Sequence, residues 1–106
     1  MREHSFKDYI LDQLIDVESV RAKGMFGGFG LYAGDIFFGI ISDDVVYLKT
    51  NVHTRKKFLE AGMKPFAPSE KQVLKNYYEV PEEIIDDVEK LSEWALDAID
   101  VGKAGK

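Results

Sequence analysis

Three cations, Arg21, Lys49 and Arg55, are the side chains of this sequence best suited to bind a small anion. Guanidinium and ammonium groups hold phosphates and carboxylates through charge-assisted hydrogen bonds. Arg21 also opens the run RAKGMFGGFGLYAGDIFFG, residues 21–39, which holds six glycines and five aromatic residues. Because glycine-rich runs can cradle phosphates, one hypothesis is a small-anion-binding domain or a cryptic enzyme that uses Arg21 and Lys49. The alternative is that these two cations pair with acids across a sheet.

The glycine run also fits a purely structural interpretation. Residues 28–33 match the pattern G-x-G-x-x-A of dinucleotide-binding proteins. That pattern needs a helix after the glycines and an acid about twenty positions further on. Here a strand-like stretch follows the glycines, and Lys49 and Thr50 stand where the acid is needed. We therefore interpret the run as a bent hairpin.

Four glycines shape this predicted hairpin. Gly27 and Gly28 allow a bulge or a sharp bend within one strand. Gly30 lets a neighbouring element approach closely, and Gly34 takes the positive φ of a turn. The sequence thus assigns Gly27, Gly28, Gly30 and Gly34 to the shape of a surface rather than to a ligand.

The remaining polar residues form no catalytic pattern. Neither His4 nor His53 belongs to a metal-ligand spacing such as H-x-x-x-H, and no serine lies in a nucleophile elbow. The acidic pairs at 82–83 and 86–87 stand at helix starts, where they meet the positive end of the helix dipole. The sequence predicts no catalytic, cofactor-binding or metal-binding residue, and a protein that is not an enzyme.

Length and composition predict a single soluble domain. The chain has 106 residues, 45% of them hydrophobic, and no cysteine. We expect one domain over 1–106, with a core at about 5–101 and a tail at 102–106. Without cysteines, a signal peptide or an apolar run of ~20 residues, the sequence predicts a cytoplasmic protein that does not contact a membrane.

The net charge of −5 is unevenly distributed along the chain. Residues 1–48 sum to −4, residues 49–75 to +5 and residues 76–106 to −6. A basic segment of this kind can contact phosphates or an acidic partner, and the alternative is that it pairs with the acidic ends of its own fold or is solvated. The cations that we expect to contact a partner or an anion are Arg21, Lys49, Arg55, Lys56 and Lys57. Since no helix-turn-helix, zinc module or ribonucleoprotein signature is present, we predict no sequence-specific DNA binding by this domain alone.

Periodicity and turn residues predict an α+β fold in two layers. Apolar residues recur at helical spacing in three segments, and β-branched and aromatic residues dominate five others. The order is α-β-β-β-α-β-β-α, with a mostly antiparallel five-stranded sheet. The predicted helices are 5–15, 55–61 and 87–101, and the predicted strands are 20–32, 36–41, 45–49, 63–66 and 73–80.

Two of the predicted strands are apolar on both faces. The stretches IFFGII and VVYL place apolar side chains alternately on the helix side and on the opposite side of the sheet. Helices on one side leave the other side uncovered. We therefore expect a second copy of the chain to cover it, which predicts a homodimer.

Several short motifs resemble the N-terminal domain of the TfoX/Sxy family. The most specific elements are R-x-x-x-M-F-G-G, Y-L-K-T and V-P, and the resemblance extends over residues 5–100. The residues that carry it are Arg21, Met25-Phe26-Gly27-Gly28, Gly30-Leu31-Tyr32, Tyr47-Leu48-Lys49-Thr50, Phe58, Gly62, Pro65-Phe66, Tyr78, Val80-Pro81, Leu91, Trp94-Ala95 and Ala98.

This resemblance implies a fold of the secretion-chaperone-like kind. It also implies kinship with bacterial regulators of competence development, which help the cyclic-AMP receptor protein to act at particular promoters. Those regulators carry a second, helical domain after this one, and we expect a stand-alone domain because the chain stops at Lys106. The predicted function is a non-enzymatic protein-interaction module that regulates transcription or competence through protein partners.

Overall fold

The computed structural model describes residues 2–25, 27–69 and 71–104, and the side chains from Phe6 onwards. The chain forms four helices and six strands within these residues. In chain order the elements are α1 (Arg2–Gln13), β1 (Val20–Met25), β2 (Gly28–Ala33), β3 (Ile36–Ser42), β4 (Val45–Lys49), α2 (Arg55–Glu60), β5 (Pro65–Ser69), β6 (Gln72–Glu79), α3 (Glu82–Ile85) and α4 (Val88–Ala104).

The six strands form one antiparallel sheet in the order β1-β2-β3-β4-β6-β5. The predicted α+β class and antiparallel sheet are confirmed, but the predicted count of five strands is wrong. The segment expected as one strand over 20–32 is two strands, because the chain reverses between Met25 and Gly28. Gly27 has a φ of +78°, a conformation that glycine adopts without steric cost and that a tight reversal requires.

The helices cover one face of the sheet. Leu91, Ala95 and Ala98 recur on one side of α4 and are buried, and Ile10 and Leu14 of α1 are buried beside them. On the sheet, Leu31, Phe38 and Leu48 face these helices. We call this side of the sheet the covered face and the opposite side the open face.

A bulge in the pairing of β2 with β3 sets which aromatic residue lies on which face. The register shifts between Leu31 and Tyr32, so that Leu31 lies opposite Gly39 and Tyr32 lies opposite Phe37. The extra residue in β3 is Phe38, which is fully buried under the helices. Because side chains alternate along a strand, Phe37 then points to the open face.

The last helix is longer than the sequence predicts. The expected tail over 102–106 is wrong for its first three residues, because α4 continues to Ala104. Gly102 is buried against β3, where a Cβ atom would lie only 2.6 Å from Cγ2 of Ile36. A glycine gives no apolar signal in the sequence, so this contact was not predictable. Gly105 and Lys106 lie outside the described residues.

None of the helices formed by the described residues is long and apolar enough to cross a membrane.

Candidate functional site

The open face of the sheet carries the largest group of aromatic residues that the helices leave uncovered. Strand alternation and pairing direct these side chains away from α1 and α4. All of the rings are half-buried rather than fully buried. The open face includes the side chains of Arg21, Lys23 and Met25 of β1, Tyr32 of β2, Phe37 and Ile40 of β3, Tyr47 and Lys49 of β4, Phe66 of β5 and Tyr77 of β6.

Three rings form a row across the open face, with a cation at each end. The ring centroids of Tyr32 and Phe37 are 5.2 Å apart, and those of Phe37 and Tyr77 are 5.8 Å apart. The guanidinium carbon of Arg21 lies 5.1 Å from the Tyr32 ring, and Nζ of Lys49 lies 5.6 Å from the Tyr77 ring. Tilted rings at these separations, and cations over their faces, attract one another. We call these five residues the aromatic row.

Gly30 lies directly beneath the side chains of Met25, Phe37 and Tyr32 on the open face. A Cβ atom there would lie 2.8 Å from Sδ of Met25 and 2.9 Å from Cε1 of Phe37. The ring of Tyr32 is 3.2 Å from the same point. A larger residue would therefore push these three side chains off the sheet.

An apolar cleft of about 530 Å³ lies beside the aromatic row. Met25 and Ile40 form one part of its lining, and Phe66, Pro68 and Leu74 form another. The hairpin of β5 and β6 thus forms one wall and the end of β1 forms the other. A cleft of this size and lining suits an apolar group, whether of a small molecule or of a side chain on another protein.

Burial gives two open-face tyrosines a raised pKa. Desolvation raises the pKa of Tyr77 above its ordinary value of 10.0. Desolvation, with smaller effects from Glu79 and Asp43, raises the pKa of Tyr47 in the same way. Both phenols are therefore neutral at pH 7, and the open face offers them as apolar rings with a hydrogen-bonding hydroxyl.

The structure does not bring Arg21 and Lys49 together. They lie at opposite ends of the aromatic row, on β1 and β4, and neither of them lines the cleft. Nη2 of Arg21 donates a hydrogen bond of 3.3 Å to the carbonyl oxygen of Gly34. Each cation stacks on its own ring, so the geometry provides two separate charges rather than one anion pocket.

The cations of α2 point in different directions. Arg55 donates from Nε to Oγ1 of Thr50, directly after β4, and from Nη2 to Oδ1 of Asn76 in β6, both at 3.0 Å. Nζ of Lys57 forms an ion pair with Asp97 of α4. Lys56 is exposed. Two of the three predicted contact residues on this helix are thus engaged within the fold.

The other sequence-predicted residues have varied positions. Gly34 has a φ of +61° in the turn between β2 and β3. Gly28 is extended, and a Cβ atom there would lie 2.2 Å from the carbonyl oxygen of Ile41. Gly27 and Gly28 do not bend one strand, as the sequence suggested, but form the reversal between two strands. His53 is exposed on the loop before α2, and the side chain of His4 lies outside the described side chains.

Within the described residues, no group of three or more His, Cys, Asp or Glu side chains is close enough to hold a metal ion.

Sequence reasoning missed most of the open face. Phe37 and Tyr77 were not singled out, and Tyr47 and Phe66 were named only for the family resemblance, although alternation in IFFGII and VVYL predicts an apolar second face. The missing information is the register, since the bulge at Tyr32 and the contact of Phe37 with Tyr77 of a distant strand depend on tertiary pairing.

Comparison with known proteins identifies the family of this chain. No curated protein matches the chain. A family model described as the TfoX N-terminal domain matches residues 12–101, a range that includes all six strands, the cleft and the aromatic row. Since this match covers most of the 106 residues, the chain belongs to the family of TfoX N-terminal domains.

Proposed function

We propose that this domain is a non-enzymatic protein-interaction module with a regulatory role in transcription or competence, and that it binds a protein partner through the open face. The aromatic row carries this proposal: three half-buried rings lie between two cations on the side that the helices leave uncovered. Tyrosine and arginine are enriched where protein interfaces gain most of their binding energy. Membership of the TfoX N-terminal domain family supports the regulatory part of the proposal.

A protein partner fits the open face better than a small anion does. Arg21 and Lys49 are separated by the whole aromatic row, so a phosphate cannot contact both. The cleft beside the row is mainly apolar, and none of the described residues that line it is a cation. The two separated cations and the apolar cleft match a protein partner that has acids for the two ends of the aromatic row and apolar side chains for the cleft.

The charge distribution favours a protein partner over DNA. Residues 82–100, which form α3 and most of α4, hold eight acids and one lysine. This acidic helical layer repels phosphates, and the cations of the open face are few and flank aromatic rings. We therefore infer that any effect on promoters passes through a protein already bound to DNA.

Site-specific crosslinking in host cells tests the proposal. A photo-reactive amino acid is placed at Tyr47, on the open face, and in a second strain at Leu96, which is exposed on α4. We expect protein adducts from Tyr47, and we expect Phe66→Lys to abolish them, because the ring centroids of Phe66 and Tyr47 are 4.6 Å apart and Phe66 lines the cleft. The same variant should also remove the effect of the domain on competence-gene transcription.

Leu96→Lys is the matched control, because it adds the same charge to an exposed apolar site of the helical layer. Both variants must keep the thermal melting profile of the parent protein. The proposal is wrong if adducts form only from Leu96, or if Phe66→Lys leaves both adducts and transcription unchanged. Adducts to a second copy alone would show instead that the open face is the predicted homodimer interface.

A further inference from the structure

Strand β1 lies at an edge of the sheet and leaves half of its backbone groups unpaired by other strands. In an antiparallel pair, residues alternate between pointing their N–H and C=O groups toward the partner strand and away from it. The amide of Gly34 donates to the carbonyl oxygen of Ser19 at 3.1 Å, which fixes the phase of this alternation. Arg21, Lys23 and Met25 therefore bond to β2, whereas Val20, Ala22 and Gly24 point their backbone groups outward.

The two edges of the sheet differ in their ability to accept another strand. The opposite edge strand, β5, contains Pro65 and Pro68, and proline removes a backbone donor and blocks pairing. Strand β1 contains no proline, and its outward residues Ala22 and Gly24 are small. Around Gly24 even a Cβ atom would meet nothing within 4 Å. The β1 edge is thus the sterically accessible one.

The charges of β1 indicate what kind of strand can pair with it. Arg21 and Lys23 are both exposed on the open face, and neither forms an ion pair with another described side chain. If β1 of a second copy paired antiparallel about Ala22, Arg21 would lie opposite Lys23 of the second copy, and like charges in this position are destabilising. A strand with acids at alternate positions would instead place each acid opposite a cation.

We propose that the β1 edge accepts an extended acidic segment of a partner protein as a seventh strand. This inference rests on the proposed function and specifies the chemistry of the partner. In antiparallel addition the segment carries the pattern apolar-x-acid-x-acid, with the acids facing Lys23 and Arg21 and the apolar residue facing Met25. Met25 lines the cleft, so the apolar side chain enters the open face at that point. Backbone hydrogen bonds give the affinity and the alternate side chains give the specificity.

Amide hydrogen exchange with a synthetic peptide tests this mode of binding. The probe has leucine, glutamate and glutamate at alternate positions with threonines between them, and the control peptide has lysines in place of glutamates. We expect the amides of Val20, Ala22 and Gly24 to exchange rapidly in the free protein and at least about tenfold more slowly with the acidic probe. The amides of Arg21 and Lys23 are bonded to β2 and should be protected in both states.

Modified peptides separate strand addition from simple charge attraction. N-methylation of the probe amides that face β1 should abolish binding, whereas N-methylation of the alternate amides should not, because only the first set donates to the edge. This comparison needs no variant of the protein and so does not depend on folding. Equal binding by the two methylated probes would overturn the inference.

Charge reversal tests the role of the two cations. The double variant Arg21→Glu/Lys23→Glu should weaken probe binding at least about tenfold, since it turns two attractions into repulsions. The control is Lys64→Glu/Lys90→Glu, which makes the same change at two exposed cations outside β1 and should leave affinity unchanged. Equal weakening by both variants would show that only net charge matters, and would overturn the inference.

Failure of this inference can be distinguished from failure of the proposed function. Ala22→Pro removes an outward donor at the edge without touching the aromatic row. If Ala22→Pro and the charge-reversed variant keep the Tyr47 crosslinks while Phe66→Lys loses them, the partner binds the open face without adding a strand. If Phe66→Lys also keeps them, the proposed function itself is wrong.

Discussion

The two faces of the sheet use large side chains in different ways. On the covered face, Phe38 is fully buried in the core, and Phe58 of α2 is almost completely buried in the same core. On the open face, Tyr47 and Tyr77 keep part of each ring exposed and carry hydroxyl groups. Phenylalanine and aliphatic residues suit a permanently dry core, whereas tyrosine tolerates water on one side and burial by a partner on the other. The comparison suggests that stability resides mainly on the covered face and recognition on the open face.

The adjacent residues Phe38 and Phe37 give the most direct test of this difference. Phe38→Ala should lower the free energy of unfolding by about 3–5 kcal/mol, because it leaves a cavity in the core. Phe37→Ala should cost less, about 1–2 kcal/mol, since its ring is partly exposed and packs against the open-face rings of Tyr32 and Tyr77. Urea unfolding of both variants measures the two values. Equal losses would mean that the open face is packed as a second core.

Gly28 and Gly24 offer a second comparison, which measures how an added methyl group changes stability at a crowded and at an open position. At Gly28 a Cβ atom would lie 2.2 Å from the carbonyl oxygen of Ile41, so Gly28→Ala must displace backbone and should cost about 1–3 kcal/mol. Gly24→Ala meets open space and should change stability by less than about 0.5 kcal/mol. Thermal or urea unfolding distinguishes them. If Gly28→Ala were as stable as Gly24→Ala, the two strands would not be in close contact there.

Alkaline pH should reveal the partial burial of the open-face rings. We expect a smaller change in the free energy of unfolding here than from the phenylalanine substitutions or from Gly28→Ala. Because the raised pKa of Tyr77 means that the folded protein holds this proton more tightly than the unfolded chain, its contribution is constant below pH 10.0. As pH rises above 10.0, the free energy of unfolding falls. Tyr77→Phe should reduce this loss, as urea unfolding at about pH 8 and about pH 11 can measure. An identical loss in parent and variant would indicate that Tyr77 is fully solvated in the folded protein.

Much of the fold was predictable because its signals are local. Strand β4 was predicted with its correct bounds, since VVYL is flanked by turn residues on one side and Thr50 on the other. The hairpin of β1 and β2 was missed because the run on both sides of Gly27 has one continuous strand-like texture. The short helix α3 was also missed, since four residues are too few for a periodic pattern.

The candidate site was less predictable, because it depends on pairing between distant residues. Arg21 and Lys49 were identified as candidate anion or partner contacts, but the sequence did not show that each one stacks on its own ring. Arg55 was expected to be available to a partner, yet its bond to Asn76 comes from a residue twenty-one positions away. Residue type indicates what a side chain can bind, and only the register of the sheet indicates what it does bind.

The single tryptophan of the protein, Trp94, lies on the side of the molecule opposite the open face. Its ring packs edge-on against Phe58 at 4.7 Å, and Nζ of Lys57 lies 5.0 Å above it. Under excitation beyond the tyrosine absorption band, the fluorescence of the domain comes from Trp94 and reports on the junction of α2 with α4. Unfolding of the unlabelled protein can therefore be followed from a site that lies outside the aromatic row.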